Sequence, residues 1–260
     1  MKIHMTKISH SEGHQYGWIP DVPDHRDMSY EYLGVDLSLP KQIDLSLLCP
    51  PVYDQGSLGS CTANAICVAI QSVRNKQNLK PDFVPSRLFI YYNERVMENS
   101  IASDSGAQIR HGIKSVASNG DCPETSWPYD VAKFDVKPTS QCYLEAIKYT
   151  TIRYQRVPQI INSMKGCLAA GYPFIFGFSV YSGIDNISKT GELNMPAHDE
   201  VLEGGHAVVA VGYDDSTQRF LVRNSWGTNW GNNGYFTMPY DYLTNTNLVD
   251  DLWTIRLESA

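Results

Sequence analysis

The chain has 260 residues, of which 42% are hydrophobic and 19% are charged. This length and balance predict a folded globular protein with a large core and exclude a largely disordered chain. The formal net charge of -7, with no run of Lys or Arg, argues against a nucleic-acid partner, which requires clustered positive charge. No stretch approaches the ~18 apolar residues of a membrane helix, so we expect no membrane partner either.

The first 38 residues are polar, rich in His, Asp and Pro, and show no sustained hydrophobic period. They predict an N-terminal arm or short pro-segment that lies across the folded body, as an autoinhibitor or merely as a brace. Residues 1–15 lack the apolar segment of a secretory signal. The compartment therefore stays open between the cytoplasm and the mature form of an exported protein.

Ordered structure is predicted from Leu39 onward, in a second unit over 39–260. Apolar residues spaced at i, i+3, i+4 and i+7 predict a helix over about 60–76, with Cys61 in its first turn. Further helices are predicted over 86–97 and about 108–117, and a short one ends at Gly171. Strand-forming runs follow at 174–180, 207–213, 220–223, 235–238 and 253–257. This order predicts an α+β fold with two lobes, helical over about 41–148 and β-rich over about 149–260.

The six cysteines form no CxxC pair and have no metal-ligand spacing, so the sequence predicts no metal site, and we expect no cofactor. They are Cys49, Cys61, Cys67, Cys122, Cys142 and Cys167. If Cys61 is kept free, an odd number remains, and the disulfide pairing stays open.

Cys61 has the surroundings of a catalytic thiol. A helix N-terminus lowers the pKa of a cysteine, and the unpaired N–H groups of its first turn are aimed where an oxyanion forms. Gln55, six residues earlier, offers a side-chain NH2 as a second donor, and Gly56 and Gly59 allow the tight turn that joins the two.

His206 and Asn224 are the expected partners of this thiol. His206 follows two glycines and precedes an apolar run, which places it at the mouth of a strand beside a cleft. Asn224 ends the next strand, and a hairpin brings the two side chains together. An amide oxygen that accepts from one imidazole nitrogen aims the other nitrogen at the sulfur. Trp226 is placed to shield that hydrogen bond.

The order Cys…His…Asn, with a Gln ahead of the Cys, resembles the papain/cathepsin family of cysteine proteases. The matching segments are Gln55-Gly-Ser-Leu-Gly-Ser-Cys61, Gly205-His206-Ala-Val-Val-Ala-Val-Gly-Tyr213 and Asn224-Ser-Trp-Gly-Thr-Asn-Trp-Gly-Asn-Asn-Gly-Tyr235. The separation from Cys61 to His206 is 145 residues (206 − 61), within the ~130–150 typical of this family.

The resemblance implies a two-lobed papain-like fold, in which a helical lobe and an antiparallel, barrel-like β lobe enclose the active site. It implies an endopeptidase that acts on protein or peptide substrates through a thioester acyl-enzyme. Cys61 would be the nucleophile, His206 the general base and then acid, Asn224 the residue that orients it, and Gln55 an oxyanion donor.

The resemblance also implies residues that bind substrate. Ser105 and Gly106 would meet the substrate main chain, Ala207 would line the main specificity pocket together with Gly177 or Phe178, and Trp226 would be a further substrate-binding residue.

Two departures from the family pattern bear on these expectations. Leu58 replaces a usual disulfide cysteine, and Thr62 replaces the usual aromatic residue after the nucleophile, so the chain looks more like the prokaryotic or viral branch. Two alternatives stay open. One is an acyl-transfer enzyme (an amidase, ligase or transglutaminase-like protein) with the same triad, and the other is a non-catalytic papain-fold binding protein.

Overall fold

A computed structural model of the chain describes residues 15–31, 38–150 and 152–257. The helices within these ranges are α1 (Cys61–Gln77), α2 (Arg87–Glu98), α3 (Ile109–Asn119), α4 (Ser140–Ala146), α5 (Ile161–Ala169), α6 (Ile187–Thr190) and α7 (Tyr240–Thr244). The strands are β1 (Gln42–Asp44), β2 (Ile152–Arg156), β3 (Phe174–Tyr181), β4 (Leu202–Asp214), β5 (Arg219–Arg223), β6 (Tyr235–Pro239) and β7 (Val249–Leu257). The α+β fold is therefore confirmed.

The seven strands in the described ranges form one antiparallel sheet, in the order β2-β7-β3-β4-β5-β6. Strand β1 pairs with the end of β4, so that Gln42 lies opposite Asp214. The segment that precedes the helices is thus hydrogen-bonded to the β-rich part of the chain. The division into an arm, a helical lobe and a β-rich lobe at the stated boundaries stays a prediction.

Helix α1 is the central element of the fold. The apolar spacing predicted an amphipathic helix, but every residue from Cys61 to Arg74 is buried. The helix packs on α2 and α3 on one side and on β4 and β7 on the other, so it has no face left for water until its last turn. It ends at Asn78, whose left-handed conformation (φ 52°) and N–H bonds to Arg74 and Asn75 close the last turn.

Alternation along β3 divides the core between two layers. Phe174, Phe176 and Phe178 point into the interior of the β-rich part, where they pack with Phe220 and Phe236. Ile175 points to the opposite face and joins the layer between the sheet and α1. Because successive side chains of a strand lie on opposite faces, Gly177 shares the face of Ile175, and this is the face that borders the candidate site.

Most predicted elements agree with the structure to within two residues, but two strands begin earlier than predicted. Strand β4 starts at Leu202 rather than at 207, and β7 starts at Val249 rather than at 253. In both cases the sequence contains glycine or charged residues that do not resemble strand formers, and pairing with β3 holds them in the sheet.

Three further features of the described ranges bear on function. No helix in them is long and apolar enough to cross a membrane. No group of three or more His, Cys, Asp or Glu side chains among these residues is placed to hold a metal ion. All six cysteines are free thiols, which resolves the disulfide pairing that the sequence left open.

Candidate active site

Two distant parts of the chain run side by side at the candidate site. Residues 53–55 lie antiparallel to residues 225–227, with hydrogen bonds from Gln55 N–H to Ser225 O (2.9 Å) and from Gly227 N–H to Tyr53 O (3.0 Å). Because of this pairing, the turn before α1 lies next to the end of β5, and Gln55 lies beside Asn224.

The side chain of Gln55 is completely buried, and its orientation is fixed. Its carbonyl oxygen accepts from the hydroxyl of Ser225 at 2.7 Å. Its amide nitrogen donates to the carbonyl of Leu58 at 2.9 Å and to the carbonyl of Gln15 at 3.0 Å. The amide therefore presents an N–H to the main-chain carbonyl of Gln15, and this is the geometry expected of an oxyanion donor.

Cys61 is the first residue of α1, as predicted, and it is completely buried. Burial raises the pKa of its thiol to about 12, and the backbone N–H groups of Ala207, Gly17 and Thr62, which face the sulfur, act in the opposite direction. The contact with Ala207 places the sulfur beside the residue that follows His206. The sequence led us to expect a lowered pKa, but here loss of solvent outweighs the helix N-terminus.

His206 and Asn224 form the predicted pair. His206 Nε2 lies 2.7 Å from the side-chain oxygen of Asn224. An amide oxygen only accepts hydrogen bonds, so Nε2 carries the hydrogen and Nδ1 is the nitrogen available for proton transfer. Trp226 stacks on the imidazole with ring centroids 4.6 Å apart. Since both His206 and Asn224 are buried, the pair is protected from water.

The predicted position of His206 at the mouth of a strand is wrong. His206 is the fifth residue of β4 and lies opposite Phe178 of β3. The two preceding glycines are paired strand residues and do not form a hinge. A Cβ on Gly204 would lie 2.8 Å from the ring of Tyr16, and one on Gly205 would lie 2.7 Å from the ring of Trp18. These glycines make room for aromatic residues of the N-terminal arm.

Residues 15–19 of the predicted arm run as an extended segment through a cleft, which is the groove between β4 and residues 105–107. On the side that faces the sheet, Trp18 N–H donates to the carbonyl of Gly205 in β4 at 3.0 Å. On the opposite side, Ala107 N–H donates to the carbonyl of Gly17 (2.8 Å), and Ile19 N–H donates to the carbonyl of Ala107 (3.0 Å). These bonds pair Trp18 with Ala107 in parallel. Part of the predicted arm, residues 1–14 and 32–37, lies outside the described residues.

The arm lies so close to the cleft wall that only glycine fits. A Cβ on Gly17 would lie 1.8 Å from the carbonyl oxygen of Gly59. A Cβ on Gly106 would lie 2.1 Å from the carbonyl oxygen of Gly17, and Gly106 itself has a φ of 75°. Both contacts involve backbone oxygen atoms, which cannot move away by a change of rotamer.

Farther along the arm, acidic side chains hold it against the body of the protein. Both carboxylate oxygens of Asp27 accept from Arg110, whose side chain is 4% exposed. Arg156 donates to Asp27 at 3.0 Å and to Asp21 at 3.1 Å. Asp21 also accepts from the indole N–H of Trp253 at 2.9 Å. Buried pairs of this kind are costly to break, because each partner left behind is an uncompensated charge.

The residues expected to bind substrate all border the arm or the catalytic pair. Gly106, which follows Ser105, lies against Gly17 of the arm, but Ala107 makes the main-chain bonds. Ala207 is opposite Gly177 in the sheet, and a Cβ on Gly177 would lie 1.9 Å from the indole of Trp18. Their roles toward a substrate stay a prediction.

Sequence reasoning missed several residues of the site. Tyr129 donates to the main-chain carbonyl of Gln55 at 2.9 Å and lies 2.6 Å from the hydroxyl of Ser60, so it holds the turn before α1 in place. Ser225 fixes the amide of Gln55. Asp251, which is completely buried at the end of the Trp18 side chain, also belongs here. Ser225 lies within the matching segment that begins at Asn224, whereas Tyr129 and Asp251 have no local sequence signal, since their partners are 69 to 233 residues away.

Comparison with known proteins gives consistent results. The sequence model described as papain family cysteine protease matches residues 39–251. An uncharacterized peptidase C1-like protein of Acanthamoeba polyphaga mimivirus is 49% identical over 213 residues, which are 78% of this chain and 68% of the viral protein.

Solved structures agree with this result. The crystal structure of xylellain, a cysteine protease from Xylella fastidiosa, has a TM-score of 0.89 and 46% identity, covering 98% of this chain and 100% of that one. Digestive procathepsin L2 from the Tenebrio molitor larval midgut has a TM-score of 0.75 at 22% identity, covering 95% of this chain and 79% of that one, and this match concerns the fold alone.

Proposed function

The chain belongs to the papain family of cysteine proteases, and on that premise we propose that it is an endopeptidase with a Cys-His-Asn triad, held latent by its own arm. Cys61 is the nucleophile and His206 exchanges the proton. Asn224 keeps the imidazole oriented, and Gln55 donates to the oxyanion.

The reaction follows from these roles. Nδ1 of His206 takes the thiol proton, and the sulfur of Cys61 attacks the carbonyl carbon of a peptide. The resulting oxyanion accepts hydrogen bonds from Gln55 Nε2 and from the backbone N–H of Cys61. His206 then protonates the leaving amine, and a thioester remains. Water, deprotonated by His206, attacks the thioester and releases the acid and the free thiol. Asn224 holds Nε2–H throughout, so Nδ1 always faces the reacting atoms.

The occupied cleft is the observation that supports this proposal most strongly. A main-chain carbonyl, that of Gln15, lies on the amide of Gln55, and the following residues pair with both walls of the cleft. The cleft therefore binds extended polypeptide across the thiol. The bound segment is internal, since the chain continues on both sides of it. A site that accepts an internal segment favours an endopeptidase over an exopeptidase.

The same contacts support latency. With residues 15–19 in place, the sulfur of Cys61 has no exposed surface, and its pKa of about 12 leaves it protonated at neutral pH. A thiol in this state is neither accessible nor nucleophilic. Activity therefore requires that the arm leave the cleft, at least over residues 15–19.

The test uses the full-length wild type, Gly17→Ala, and Gly17→Ala combined with Cys61→Ala, each incubated with an unfolded protein substrate and a reductant. We expect Gly17→Ala to hydrolyse the substrate at internal bonds, faster than the wild type, and the double variant to be inactive. Equal activity in the double variant would refute the proposal. Products that carry an added amine in place of water would instead identify an acyl-transfer enzyme.

A further inference from the structure

The arm reveals a pocket in the cleft. The indole of Trp18 is 5% exposed and lies flat against two glycines of neighbouring strands, Gly177 of β3 and Gly205 of β4. A Cβ would lie 1.9 Å from the indole at Gly177 and 2.7 Å from it at Gly205. The absence of side chains at both positions gives the pocket the width of a bicyclic ring.

Asp251 closes the far end of this pocket. Its Oδ2 accepts from the indole N–H of Trp18 at 3.0 Å and from the main-chain N–H of Asp21 at 2.7 Å. Both donors belong to the arm. The other oxygen, Oδ1, accepts from Arg156 at 3.0 Å, and Arg156 is part of the body. When residues 15–19 leave, Oδ2 of this buried carboxylate therefore loses the indole donor of Trp18 and faces the empty pocket.

The backbone at Asp251 is unusual in a way that fits this role. Asp251 has a φ of 58°, in the left-handed region, where it interrupts the regular pairing of β7 with β3. A non-glycine residue in this conformation within a strand redirects its side chain and recurs at functional sites. Here it aims a carboxylate into the pocket between two otherwise regular strands.

We infer that Asp251 determines the specificity of the proteolytic reaction proposed above, by selecting a substrate side chain that carries a neutral N–H donor at the end of an aromatic ring. Tryptophan meets this requirement and phenylalanine does not. A site built around a buried hydrogen-bonding group rejects analogues that leave the group unpaired. A cationic side chain is disfavoured because its charge would lie beside the guanidinium of Arg156, which already pairs with Asp251.

The test compares peptides that differ in a single side chain. Tryptophan, benzothienylalanine (in which sulfur replaces the indole N–H), phenylalanine and arginine are placed in turn at each of the four positions before a cleaved bond. The enzyme is the full-length Gly17→Ala variant, in which we expect the cleft to be open. At one position we expect kcat/KM for tryptophan to exceed that for benzothienylalanine by about tenfold or more.

Two substitutions of Asp251 assign the preference to its carboxylate. Asp251→Gly adopts a positive φ without strain and removes the acceptor, so the ratio of tryptophan to benzothienylalanine should fall to about one. Asp251→Asn keeps an acceptor oxygen and the side-chain volume, so part of the preference should remain. Equal rates for the two analogues at every position, or an unchanged ratio in Asp251→Gly, would overturn the inference.

A binding experiment separates this inference from the proposed function. The same peptides are titrated into the inactive Gly17→Ala, Cys61→Ser double variant by calorimetry. Tighter binding of the tryptophan peptide supports the inference even if no variant cleaves any peptide, a result that would refute only the proposed function. Cleavage and binding without discrimination would refute the inference alone, and an absence of both would refute the two together.

Discussion

Gly17 offers the most direct way to open the cleft without removing any part of the chain. We predict that Gly17→Ala displaces residues 15–19 and exposes Cys61. The added Cβ would lie 1.8 Å from the carbonyl oxygen of Gly59, whereas ordinary contact begins near 3.4 Å. The backbone at this position must therefore move by about 1.6 Å (3.4 − 1.8).

A movement of this size has a calculable effect. The main chain of residues 15–19 makes four hydrogen bonds of 2.8–3.0 Å, one of them to the amide of Gln55. Lengthening them by more than 1 Å takes them out of hydrogen-bonding range. At ~1 kcal/mol net for each bond, the docked state loses about 4 kcal/mol. Since ~1.4 kcal/mol corresponds to a factor of ten, the ratio of docked to undocked arm should fall roughly 10²- to 10³-fold.

Alkylation of the thiol measures this opening directly. The wild type and Gly17→Ala are exposed to iodoacetamide at a fixed pH, and labelling of the peptide that contains Cys61 is followed by mass spectrometry. We expect the rate at Cys61 to rise by about two orders of magnitude or more. Cys67, which is equally buried but within the core of α1, should be labelled slowly in both proteins, because the fold remains intact.

A matched control lies in the same arm. Met28 is 60% exposed, so Met28→Ala should leave labelling of Cys61 unchanged. The reasoning is refuted if Gly17→Ala labels Cys61 within twofold of the wild-type rate. It is also refuted if Cys67 becomes reactive in parallel, because then the substitution unfolds the protein and does not merely displace the arm.

Three further predictions concern catalysis, anchoring of the arm and pH. In the Gly17→Ala background, Asn224→Ala should lower kcat/KM by about 10- to 100-fold, and His206→Ala should lower it by a further order of magnitude or more. The reason is that the amide of Asn224 only orients the imidazole that transfers the proton. Equal losses of kcat/KM in steady-state kinetics would contradict these roles. Asp27→Ala should lower the free energy of unfolding by about 3 kcal/mol, because it leaves the buried guanidinium of Arg110 without its carboxylate. Denaturant titration measures this, and an unchanged midpoint would show that Asp27 does not anchor the arm. Burial and the neighbouring Asp21 raise the pKa of Asp251 to about 7, from 3.8. This carboxyl therefore stabilises the folded state fully below about pH 4, and the contribution is lost as pH rises through 7. The free energy of unfolding of the wild type, measured relative to that of Asp251→Asn, should therefore fall between pH 4 and pH 8. Denaturant titrations in which this difference rises with pH would disprove the prediction.

Much of the fold follows from local patterns in the sequence. The hydrophobic period predicted α1 and the β-branched and aromatic run predicted β3, each nearly to the residue, because these signals arise from neighbours in the chain. The start of β4 was predicted wrongly because Gly204 and Gly205 resemble a hinge in sequence. Their lack of side chains serves instead to accommodate Tyr16 and Trp18. The side chain that requires a glycine lies almost 190 residues earlier in the chain, and no local pattern reveals it.

The sequence by itself determined which chemical groups this protein possesses and their order. Gln55, Cys61, His206 and Asn224 were proposed as catalytic residues from residue type and spacing, because catalysis by a thiol requires those groups. The tertiary structure alone decided the state of the site. The arm fills the cleft, the thiol is sealed, and Asp251 faces the indole of an arm residue 233 positions away. Burial, and the pKa shifts that follow from it, depend on which distant segments meet in space, and that is a property of the folded chain.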